Sequence, residues 1–158
     1  MTLDRHLSGR RDVPPRERLG PRCLRYAREH GVPEDLIAAL DTCAYGGSIP
    51  MGKLRLSPLA ELDLENAEEE NRPGLEHGFL IVGSALNGDP IAIELRSRKM
   101  AFISHDALWE RDYDSFEECV VRTPLGFDEF WTRAAEEPDF PVDSHDAEAR
   151  WGGRQTTG

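Results

Sequence analysis

Gly78-Phe79-Leu80-Ile81-Val82-Gly83-Ser84-Ala85-Leu86-Asn87-Gly88-Asp89-Pro90-Ile91-Ala92-Ile93-Glu94-Leu95 is the stretch whose reading decides the fold. Its first half is an unbroken uncharged run, as expected of a strand buried on both faces. Asn87-Gly88 is the strongest short-range hairpin signal, because both residues tolerate the positive φ that a tight turn demands. Ile91 to Leu95 then alternates with period two, Arg96 to Lys99 turns the chain, and Met100-Ala101-Phe102-Ile103 reads as a third strand. Treating Asn87-Gly88 and Ser97-Arg98 as two-residue turns places Val82 opposite Ile93 and Leu80 opposite Leu95. Ile93 then faces Phe102, and Leu95 faces Met100. One sheet face carries Leu80, Val82, Ile91, Ile93, Leu95, Met100 and Phe102, with Ser84 its only polar member. Pro90 falls opposite Ala85, where its missing N–H costs little.

Working outward, Pro21 to His30 reads as a short helix with Pro at its start and Gly31 as its stop. Pro33 opens a second, with Glu34 and Asp35 near its positive end and an apolar stripe at Leu36, Leu40 and Cys43. Leu54-Arg55-Leu56 suits a brief edge strand. Phe127, Phe130, Trp131, Ala134 and Ala135 fall at i, i+3, i+4, i+7 and i+8, an amphipathic helix suited to cover the sheet and stopped by Pro138 and Pro141. The fold class is therefore α+β: an antiparallel β-meander sheet packed by N- and C-terminal helices. Three regions are expected: an Arg/Pro-rich flexible arm over 1–20, one domain over 21–143, and a C-terminal tail over 144–158.

Charge narrows the function. The 158 residues carry 19 basic and 30 acidic side chains, a net −11. Residues 1–30 hold eight Arg against four acids, so the remaining body carries −15. This balance argues against nucleic-acid binding and against docking on anionic membranes, and favours a basic protein as partner. No apolar run reaches the ~20 residues of a membrane span, and no signal-peptide core follows Met1, so a cytoplasmic location is expected. Cys23, Cys43 and Cys119 are widely spaced and odd in number, which signals neither disulfides nor zinc.

Catalytic signatures are sparse: there is no G-x-S-x-G elbow, P-loop, G-x-G-x-x-G turn or H-E-x-x-H pair. Ser104-His105-Asp106 recurs as Ser144-His145-Asp146, yet neighbours on an extended strand point to opposite faces, so a structural role for His105 is preferred to acid–base or metal chemistry. No catalytic residue, cofactor or metal ligand is assigned. Glu61 to Glu76 holds seven acids against Arg72 and contains Pro73-Gly74, which reads as an acidic loop. Its carboxylates at Asp63, Glu65, Glu68, Glu69 and Glu70, together with Trp109, are the candidate partner-binding residues. For Trp109 the competing role is that of an aromatic capping the core.

With these residues in view, the chain resembles the SUKH superfamily, the Smi/Knr-like group rich in immunity proteins. The resemblance begins at Cys43-Ala44-Tyr45-Gly46-Gly47, with Tyr45 where Asn is usual. It is clearest through Phe79 to Ile93, and it runs through Val120 and Val121 to the closing Leu125 to Trp131 segment. It spans roughly 32–143, and departs from the pattern at Ser97-Arg98, which lacks the usual turn glycine. It implies a non-enzymatic cytosolic protein that binds and neutralises a cognate toxin, and the acidic surface suits a basic target such as a nuclease. A regulatory or scaffold adaptor of the same fold, without a toxin, is the alternative.

Overall fold

A computed structural model of the protein describes residues 3–152. In chain order its helices are α1 (Leu3–Ser8), α2 (Pro21–Glu29), α3 (Glu34–Asp41), α4 (Leu62–Ala67), α5 (Arg72–Glu76), α6 (His105–Glu110), α7 (Phe127–Glu136) and α8 (Ser144–Trp151). The strands are β1 (Ile49–Met51), β2 (Leu54–Leu56), β3 (Phe79–Ser84), β4 (Pro90–Glu94), β5 (Lys99–Ile103) and β6 (Val120–Gly126). They form one six-stranded antiparallel sheet in the order β1-β2-β3-β4-β5-β6, a meander throughout. The α+β class and the antiparallel meander are as the sequence predicts.

The register differs from the one that two-residue turns predict, while the apolar face survives. Leu80 pairs with Ile93, Ile93 with Met100, and Ile91 with Phe102. Between β4 and β5 the shift is two residues, because the connection takes four residues and Arg98 enters the left-handed region at φ 65°. A shift of two returns every side chain to its own face. The β3–β4 hairpin has a three-residue loop: Gly88 N–H donates to Ala85 O at 3.0 Å, and Ala85 N–H to Asp89 O at 2.8 Å. Gly88 takes φ 97°, as the turn demands, whereas Asn87 has no positive φ and instead accepts from Asp89 N–H through its side chain. The odd residue this introduces is absorbed by a bulge between Ile81 and Gly83. Pro90 consequently stands opposite Ser84 and not Ala85.

On one side of the sheet Leu80, Val82, Ile91, Ile93, Met100 and Phe102 meet the fully buried Phe130 and Trp131 of α7, together with α1, α2 and α3. Gly83 lies directly under Trp131: a Cβ there would come within 2.5 Å of the indole and 2.5 Å of Arg55 O. The other face is covered as well. Phe79, Ile81, Ala92, Ala101 and Ile103 pack against Leu108 of α6 and against Phe116 and Cys119 of a 3-10 turn. All three cysteines are buried.

Both terminal segments depart from expectation. The arm is not loose over its described length. Leu3 and Leu7, four apart on α1, are completely buried, and Arg16 bridges Tyr45. Arg10 donates to Pro50 O at 2.8 Å, bonding to the outermost strand. The tail boundary at 144 falls at the start of a helix: Ala147 of α8 is buried, and Trp151 meets Phe140 edge-on. Residues 153–158 lie outside the described part.

Candidate functional site

The segment read as an acidic loop is folded, and the reason lies in β3. Because β2 pairs with β3 only at Ser84 and Gly83, the rest of that edge needs other partners. Asn66, fully buried on α4, supplies them. Its Nδ2 donates to Ile81 O at 2.9 Å, and Ile81 N–H donates to its Oδ1 at 2.9 Å. One side-chain amide thus completes a strand edge, and it fixes α4 and α5 against the sheet.

That placement divides the candidate carboxylates. Asp63 is buried and ion-paired with Arg22 at 2.5 Å, so it holds α4 to α2. Glu65 is largely enclosed: Ser57 Oγ donates to its Oε2 at 3.1 Å, while its Oε1 is buried without a hydrogen-bond partner. Burial pushes its carboxyl from the ordinary 4.5 up to about 7, against the smaller lowering effect of the Ser57 bond. Glu68, Glu69 and Glu70 stand exposed on the connection between α4 and α5.

Trp109, on α6, faces that connection and is 42% exposed. Its Nε1–H donates to Asn71 Oδ1 at 3.2 Å, and Arg111, in the left-handed region at φ 56°, donates to Glu69 O at 3.1 Å. Between these groups lies a cleft of about 530 Å³ lined by Glu69, Glu70, Trp109 and Arg111. The structure therefore brings together Trp109, Glu69 and Glu70, leaves Glu68 exposed outside that cleft, and directs Asp63 and Glu65 inward. Asn71 and Arg111, which position the cleft, carry no motif that the sequence reading used.

The repeated Ser-His-Asp triplets prove to be helix beginnings: α6 starts at His105 and α8 at Ser144. Both converge on Asp89, which is almost completely buried. Asp89 Oδ1 accepts from His105 N at 3.0 Å and His105 Nδ1 at 2.6 Å, and Oδ2 accepts from Ser144 N at 2.8 Å. Burial alone would raise this carboxyl, but the bonds from Ser144 and His105 outweigh it and hold it below its ordinary value. Since an ionised carboxylate only accepts, Nδ1 of His105 carries the hydrogen. The other ring nitrogen, Nε2, lies 3.1 Å from Asp106 Oδ1. The Asp89 carboxylate thus serves both helix starts and the His105 ring, an arrangement suited to holding two helices on one hairpin.

No protein-family model matches the chain, and comparisons with curated proteins and with solved structures found no match. No helix among the described residues is long and apolar enough to cross a membrane.

Proposed function

We propose that this chain is a non-catalytic protein of the SUKH immunity type, which binds a basic toxin in the cytoplasm through the acidic ledge beside Trp109. The observation that carries the reading is the pairing of a partly exposed, positioned tryptophan with two consecutive exposed glutamates, Glu69 and Glu70, across one cleft. An aromatic anchor inside a charged rim is the usual composition of an interface hot spot, and the net −11 suits a cationic target.

The test is co-expression with the toxin encoded by an adjacent gene. Restored growth together with an isolable complex is the expected result. Toxicity that persists despite abundant folded protein would overturn the reading, and a stable complex with a harmless neighbour would turn it to the adaptor.

A further inference from the structure

We infer that the Trp109 cleft is an arginine subsite, in which one guanidinium of a basic protein partner lies on the exposed indole and bonds to the carboxylates of Glu69 and Glu70. The inference rests on the docking reading above and specifies its chemistry.

Some acids of this molecule are matched by arginines, Glu34 by Arg28, Asp35 by Arg98, Asp41 by Arg18 and Glu137 by Arg133. Among the described residues, Glu68, Glu69 and Glu70 enter no ion pair, although Arg111 stands beside them. Its guanidinium bonds the Glu69 backbone oxygen and leaves the carboxylate unmatched. The indole is positioned by its bond to Asn71 and by the His105 ring at a centroid distance of 4.9 Å. Such a fixed aromatic face loses little freedom on binding. Of the cationic side chains, arginine suits this pairing best: its planar fork stacks on tryptophan and meets carboxylates through two parallel bonds, whereas lysine offers a compact, strongly hydrated charge.

The probes are three short peptides, Gly-Arg-Gly, Gly-Lys-Gly and Gly-Glu-Gly, titrated into the whole protein while the indole N–H signals are followed by NMR. Trp131 is fully buried and serves as the internal reference. Saturable movement of the Trp109 signal by the arginine peptide is expected, at least fivefold weaker with lysine and absent with glutamate. Glu69→Gln with Glu70→Gln should weaken the response fivefold or more, and Trp109→Phe should retain partial binding by calorimetry where Trp109→Leu loses it. Equal responses to arginine and lysine, movement confined to other signals, or no movement would each overturn the subsite. Growth rescue by the Trp109→Leu protein separates the two readings. Rescue retained without a peptide response sinks the subsite alone, whereas failed rescue by the unaltered chain sinks the docking reading.

Discussion

Replacing Glu65 by glutamine should make the protein more stable in mild alkali and leave it nearly unchanged in mild acid. Burial raises the folded carboxyl from 4.5 to about 7, so the folded chain keeps a proton that the unfolded chain has already released. Below about pH 4.5 both states are protonated and the group contributes no pH dependence. As pH rises towards 7 the unfolded state is favoured progressively, and above 7 the loss is complete. At about 1.4 kcal/mol per pH unit, the interval corresponds to a penalty of about 3 kcal/mol. Glutamine keeps an oxygen for the Ser57 hydroxyl and never ionises, so it escapes that penalty. Urea unfolding of both proteins at pH 5, 6, 7 and 8 gives the measurement, and the difference between them cancels every other titrating group. The difference should grow across this range and flatten near its upper end. A gap that stays constant with pH would refute the reasoning, whatever its size.

Gly83→Ala should cost about 2–3 kcal/mol, because its methyl group meets both the Trp131 ring and a backbone oxygen; a thermal melt unchanged from the native protein would contradict this placement. Asp89→Ala should cost about 3–5 kcal/mol at pH 7 by stripping two helix starts and His105 of their shared acceptor. The Asp89 carboxyl is held low, so its contribution is present at neutral pH and fades only as pH falls through that lowered value; urea unfolding down to pH 2 checks the sign. Neutralising Glu68, Glu69 and Glu70 together should slow association with a basic partner about tenfold at low salt, flatten its salt dependence and leave stability within about 0.5 kcal/mol. Stopped-flow binding between about 0.01 and 0.15 M salt, where the screening length falls from about 30 to 8 Å, provides the readout, and an unaltered rate would place the interface elsewhere.

The face of each central strand was legible because period-two patterning determines it; the register was not, because a slide of two residues leaves that pattern intact. Nothing in Ile81-Val82-Gly83 announces a bulge, which arises only when the three-residue loop must be reconciled with two buried faces. The closing helix was legible from five apolar positions, whereas α1 was hidden because Leu3 and Leu7 are a single i, i+4 pair in a strongly basic segment. At the candidate site, composition obscured structure. Seven acids between 61 and 76 outweighed Leu62, Asn66 and Leu75, whose burial forms the helices that direct Asp63 and Glu65 inward. Trp109 was identifiable as an aromatic among charges, but its partner Asn71 lies 38 residues away and no local pattern links them.

The Asp89 carboxylate also bears on how the chain is made. Its bond to Ser144 spans 55 residues and its bonds to His105 span 16, so the acceptor emerges from a ribosome long before its last donor. Until α8 is synthesised, a buried charge lacks one of its ligands, and contacts so distant in sequence close slowly. Final locking of the hairpin therefore waits until Ser144 and α8 have been synthesised. A nascent chain arrested before Ser144 should expose Asp89 to water and be digested more readily than one arrested beyond Trp151.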